Sequence, residues 1–111
     1  MITDIYDLLY RLDLTATHES FFHVSYAVLL STENRARLLL VAKWLYPAVA
    51  KHYRTTPERV EHNIYIVATM VWSNNPKLLR ALSRYQLPGQ PTASQFISIL
   101  ASSLFQTNFS A

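Results

Sequence analysis

Residues 45–73, "LYPAVAKHYRTTPERVEHNIYIVATMVWS", decide how the rest of the chain is read. Pro47 has no backbone N–H to give a helical ladder, so it marks either a break or the first turn of a short helix, "PAVAKHY". After "RTT", Thr56 as N-cap, Pro57 at the first helical position and Glu58 in the first turn make a three-part start signal. Val60, Ile64, Val67, Ala68 and Val71 then recur as an apolar stripe over about four turns. A short helix, a three-residue turn and a longer amphipathic helix form the layout of a helix-turn-helix. Ala50 suits the close crossing such a pair needs, because the facing residue must be small while Val49, Tyr53, Val60 and Ile64 fill the wedge.

Working outward, Ile2, Ile5, Leu8, Leu9 and Leu12 fall at helical spacing, with Asp4 placed to favour the N-terminal end of the helix dipole, and predict a helix over residues 2–12. "DLTATH" reads as a loop, and Phe21, Phe22, Tyr26 and Leu29 predict a second helix ending near Ser31 or Thr32. A third run begins at Glu33 and carries Ala36, Leu39, Leu40, Lys43 and Trp44 toward Leu45. Beyond the central pair, "SNNP" is a stop, and Asn75 with Pro76 restarts a short helix through "KLLRALSRY". Thr92 and Gln95 form a capping box that opens the last helix, which carries Phe96, Ile97, Leu100 and Leu104. No strand alternation or internal repeat competes with this reading, so the expected fold is an all-α single domain of about six helices over residues 1–111.

Composition agrees and excludes several chemistries. The 111 residues are 50% apolar, enough for one core without staples. Cysteine is absent, which removes disulfides, thiolate zinc sites and cysteine nucleophiles and suits a cytoplasmic location. A single glycine leaves no material for a glycine-rich phosphate cradle. A formal charge of +3 leans toward polyanionic partners or serves plain solubility. The most apolar window, "ARLLLVAKWLYPAVA", is interrupted by Lys43 and Pro47, so no membrane span is expected.

The central stretch resembles the helix-turn-helix of the C-terminal effector domain of the sporulation initiation response regulator family of endospore-forming bacteria. That family's pattern runs L-Y-P-x-x-A-K-x-aromatic-x-T-T-x-x-R-V-E, followed by an apolar helix to W-S. "KWLYP" is similar to its K-V-L-Y-P, and "QPTASQFI" to its K-P-T-N-S-E-F-I. With the weaker first two helices the resemblance covers nearly the whole chain. It implies a six-helix DNA-binding domain whose helix from about Pro57 to Trp72 reads the major groove of double-stranded DNA as a transcription regulator. It also implies short asymmetric elements bound in tandem or as a homodimer, a contact with the RNA polymerase sigma subunit, and no catalytic activity. The receiver domain that precedes this effector in the family, with its phospho-accepting aspartate, is expected to be absent from this chain.

Carried over by motif, Arg59 and Glu61 match R-x-E: a guanidinium can fork onto guanine O6 and N7, and a carboxylate can accept from a cytosine amino group. Thr55 and Thr56 match the helix start, where backbone amides suit a phosphate, and Lys51 matches a basic position on the preceding helix. Further along, the family carries two arginines and a histidine where this chain has His62, Tyr65 and Ile66, which lie opposite the apolar stripe with Glu58 and Thr69. Three readings stay open. The helix reads a different sequence, with Tyr65 as donor and Ile66 on a thymine methyl; or its exposed Tyr65 and Ile66 bind protein, and the domain modulates a paralogous regulator; or Tyr65 and Ile66 pack within the domain. Gln90 stands where the family has lysine, and the connector "YQLPGQP" is shorter, each change removing a phosphate or partner contact.

Other candidates reduce to structure. His18, His23, His52 and His62 show no metal-ligand spacing with an acidic third member and read as solvated or capping residues, so no metal or cofactor is expected. Asp4 and Asp7 are ordinary first-turn acids, and the serines lack a base. Phe21, Phe22, Tyr26, Trp44, Tyr53 and Phe96 are expected in the core, with Trp72 anchoring its helix against the next. Residues 73–85, with Lys77, Arg80 and Arg84, resemble the family's sigma-contacting surface.

Overall fold

The computed structural model describes residues 2–16 and 18–110, with side chains described as far as Leu104. The helices, in chain order, are α1 (Ile2–Arg11), α2 (Glu19–Glu33), a 3-10 turn (Arg35–Leu38), α3 (Val41–Trp44), α4 (Tyr46–Tyr53), α5 (Pro57–Asn74), α6 (Pro76–Leu82) and α7 (Ala93–Ser110). Six of these run seven residues or longer, and no strand occurs among the described residues. The all-α expectation holds.

α2 is the central post. It packs against α1, α5 and α7 at once, and its sequence explains why, since Phe21, Val24, Ala27, Val28 and Leu30 distribute apolar surface around the helix rather than along one stripe. Ser25 and Ser31 are buried within it, and each donates its hydroxyl to the carbonyl four residues back, Phe21 and Ala27, at 2.7 Å. Each thereby satisfies its own polar group without an outside partner. Phe96, Ile97 and Leu100 of α7 close the core on one side, and Ile5, Leu8 and Leu9 of α1 close it on another. The capping box of α7 forms as expected: Gln95 N–H donates to Thr92 Oγ1 at 3.2 Å while Thr92 N–H donates to Gln95 Oε1 at 2.8 Å.

The third run departs from expectation. Instead of one helix from Glu33, the chain makes a 3-10 turn, breaks at Leu39–Leu40 and resumes for one turn as α3. Asn34 is the cause at the front end. Its backbone is extended and its side-chain oxygen accepts from Ala36 N–H, a local bond that competes with helical continuation. Leu39 is consequently 78% exposed and Leu40 51%. Trp44, expected in the core, is 43% exposed, with Lys43 Nζ 5.7 Å from its ring centroid. Trp72 does anchor α5 as expected, half-buried against the core with the Arg80 guanidinium 4.6 Å from its ring centroid.

Candidate nucleic-acid interface

α4 closes with two bonds that fix the turn. Thr55 N–H donates to Ala50 O at 2.9 Å and Arg54 N–H to Lys51 O at 3.4 Å, the pairing of a Schellman motif. The motif needs a left-handed residue, and in this glycine-poor chain Arg54 supplies it at φ 57°, ψ 48°. α5 then starts as its sequence predicts: Thr56 Oγ1 accepts from Arg59 N–H at 3.2 Å, and Pro57 occupies the first turn. Val49, Ala50, Val60 and Ile64 are buried where the two helices cross. Tyr53 does not complete the wedge as expected. It lies at the rim beside His52, Tyr26 and His23, and its hydroxyl donates to Phe22 O at 3.4 Å.

The stripe Val60, Ile64, Val67, Ala68 and Val71 is wholly buried, which turns Glu58, His62, Tyr65 and Ile66 outward. Tyr65 is 51% exposed, so the reading in which it packs within the domain falls away. Arg59 and Glu61 are also exposed, but at 3.6 residues per turn they stand about 160° apart around the helix axis and occupy opposite edges of that face. Lys51, Arg54 and Thr56 are exposed at the turn, and Thr55 is partly so. Thr69, at the far end of the face, donates to Tyr65 O at 3.0 Å and accepts from Gln90 Nε2 at 2.8 Å. Gln90 therefore ties the last connector to α5.

On the Arg59 edge the arrangement differs from expectation. The guanidinium does not stand alone in solvent, because its Nη2 is paired with Glu19 Oε1 from the start of α2. Asn63 Nδ2, one turn on from Arg59, donates to the same oxygen at 3.3 Å and contacts His23 Nδ1 at 3.1 Å. An amide nitrogen only donates, so His23 Nδ1 is an acceptor and the ring is neutral, its proton on Nε2. His23 is thus buried, not solvated or capping as the sequence suggested. Burial pushes its pKa below the ordinary value, opposed by Glu19 and assisted by Arg59. The Arg59 guanidinium, against a smaller opposing effect of burial and with help from Asn63, holds the Glu19 carboxyl below its usual range.

On the Glu61 edge a groove of about 440 Å³ runs between α5 and the start of α7, lined by Glu58, Glu61, His62 and Tyr65 on one wall and Thr92 to Ser94 on the other. Tyr46 forms its floor, and burial, reinforced by the Glu61 carboxylate, pushes that phenol up to about 12. Among the described residues no group of three or more His, Asp or Glu is placed to hold a metal ion, and no helix is long and apolar enough to cross a membrane.

Of the residues singled out from the sequence, Arg59, Glu61, His62, Tyr65, Thr56 and Lys51 are exposed and Thr55 partly so, with Arg59 and Glu61 at the two edges of the outward face of α5. Sequence reasoning missed Glu19, Asn63 and Arg54. Asn63 carried a signal, being the polar residue between Val60 and Ile64 on the buried side of the helix.

Two short-linked helices locked at a Schellman turn, the second with a capped N-terminus and an unburied polar face, define a helix-turn-helix domain. Residues 5–104 match the family described as the sporulation initiation factor Spo0A C terminal. The chain belongs to that family, whose members are DNA-binding effector domains of a sporulation transcription factor rather than enzymes.

Proposed function

We propose that this domain binds double-stranded DNA sequence-specifically and regulates transcription, with α5 in the major groove and Arg59 as its principal base reader. The observation that carries this reading is the capped N-terminus of α5, where Thr56 fixes the helix start and leaves Arg59 exposed in the first turn. Arg59 forks onto a guanine, Glu61 meets a cytosine amino group from the opposite edge, and His62 and Tyr65 donate from the middle of the face. Thr55, Thr56 and Lys51 hold the phosphate backbone and set the register. A tandem or dimeric arrangement on DNA, a contact of residues 73–85 with the RNA polymerase sigma subunit, action in the cytoplasm, and a single domain without catalytic activity belong to the same reading.

Selection of bound duplexes from a random pool at about 100 mM salt tests it: an enriched motif is expected, and its absence refutes the proposal. Arg59→Ala should cost about 1–3 kcal/mol and relax selection at one base. A loss spread evenly over all sequences would reassign Arg59 to the phosphate backbone.

A second reading draws on the exposed, uncharged Tyr65 and Ile66 on the outward face of α5. In it, α5 binds protein, either a second copy or a paralogous regulator, and modulates it. Light scattering after size-exclusion chromatography discriminates between the two, since a strict monomer that selects DNA removes self-association and with it most of the support for this alternative.

A further inference from the structure

We propose that Glu19, which lies on α2 outside the helix-turn-helix, is a specificity-determining positioning residue for Arg59. The inference rests on the DNA-reading role of α5 and extends the reading head onto a second helix. Three features support it.

First, the pair is held from behind. Asn63 donates to the same Glu19 oxygen that receives the Arg59 guanidinium, and Asn63 is itself fixed by the buried His23 ring. The carboxylate is thereby tied to the protein interior although 51% of its side chain is exposed, and it in turn fixes where the guanidinium points.

Second, the pair leaves Arg59 able to read. A guanidinium has five N–H donors, of which Glu19 engages one nitrogen, and a fork onto guanine needs two more. Glu19 therefore buttresses the reader without blocking it.

Third, the surrounding charge is balanced. The cations at this face, Lys51, Arg54 and Arg59, are offset by Glu19, Glu58 and Glu61, with His23 and His62 adjacent. A guanidinium already neutralised by Glu19 gains little from a phosphate at any sequence, whereas an in-register guanine supplies a directed pair of acceptors. Glu19 thus lowers attraction to arbitrary duplex and leaves recognition of the right base intact, which raises the ratio between them.

The test is fluorescence anisotropy with the selected duplex and a scrambled duplex for wild type, Glu19→Gln, Arg59→Ala and the double variant, from about 50 to 200 mM salt. Because an exposed ion pair contributes little to folding, Glu19→Gln should remain folded, which circular dichroism verifies. Glu19→Gln is expected to bind the scrambled duplex roughly three- to tenfold more tightly at the lowest salt, and to steepen the dependence of log K on log salt by about 0.9, the value of one added phosphate contact. Discrimination between the two duplexes should fall, Glu19→Asp should restore part of it, and in the Arg59→Ala background the effect of Glu19→Gln should be at least halved.

An unchanged slope and unchanged discrimination in Glu19→Gln overturn the proposal, as does an effect of equal size with and without Arg59. Those results leave DNA binding itself standing. Should wild type select no duplex, the function proposed above fails by itself; Glu19→Gln is then still expected to gain salt-sensitive duplex binding, and failure to gain it overturns this inference too.

Discussion

Removing the Asn63 amide tests the network at its middle. Asn63 is 8% exposed and His23 1%, so in Asn63→Ala the Nδ1 acceptor of a neutral, buried imidazole loses its donor in a place water reaches poorly. An orphaned buried acceptor costs about 1–3 kcal/mol, and the second bond, to the exposed Glu19, adds little. With a urea m-value of about 1.5 kcal/mol per molar, the midpoint of unfolding should fall by roughly 1 M with m unchanged. The penalty should also depend on pH in a defined direction. His23 has a folded-state pKa below its unfolded value, so the stability it contributes is present above about pH 6.5 and is lost as pH falls through the folded value. Protonation puts an N–H on Nδ1 facing the amide N–H, and turning the amide over would aim its oxygen at the Glu19 carboxylate, so acid already breaks the bond that Asn63→Ala removes. The difference between wild type and variant should therefore shrink below that pH. Pairing Asn63→Leu with His23→Phe, which removes both polar partners, should recover most of the loss. A deficit under about 0.5 kcal/mol at pH 7.5, or one that persists undiminished into acid, refutes this account of the bridge.

Tyr46 predicts the alkaline limb. Its folded pKa is raised to about 12 by burial and by Glu61, so the stability it contributes is present below about pH 10 and is lost as pH rises toward 12. Two units correspond to about 2–3 kcal/mol, and Tyr46→Phe should flatten the fall in urea stability over that range. Arg54 pays for a left-handed backbone that glycine adopts freely, so Arg54→Gly should raise thermal stability by about 1 kcal/mol; Asp13→Gly, at φ 66°, should gain less because aspartate tolerates that region better. Thr56→Ala should cost about 1 kcal/mol in chemical denaturation through loss of the α5 N-cap, and Thr56→Ser should be close to neutral.

What the sequence displayed and what it hid divide along the range of the interactions involved. The start of α5, the capping box of α7 and the buried stripe from Val60 to Val71 depend on residues within a turn or two of each other, so spacing alone exposes them. The third run failed because Leu39, Leu40 and Trp44 have helical spacing but lack a common surface to cover, and a two-residue bond from Asn34 was enough to divert the backbone. His23 and Asn63 are 40 positions apart, as are Glu19 and Arg59. Nothing local marks either pair, and each becomes visible only when α2 is laid across α5. The same geometry changes the reading of α5 itself. Its sequence showed an outward face with arginine at one edge and no arginine or lysine in its middle, which weakened the case for DNA. Folded, that arginine is steered by a carboxylate from another helix, and a steered guanidinium needs fewer neighbouring cations to discriminate between bases than a free one, because its geometry rather than its charge decides where it binds. The sparse charge of the α5 face is thus compatible with selective reading, provided Glu19 holds its place.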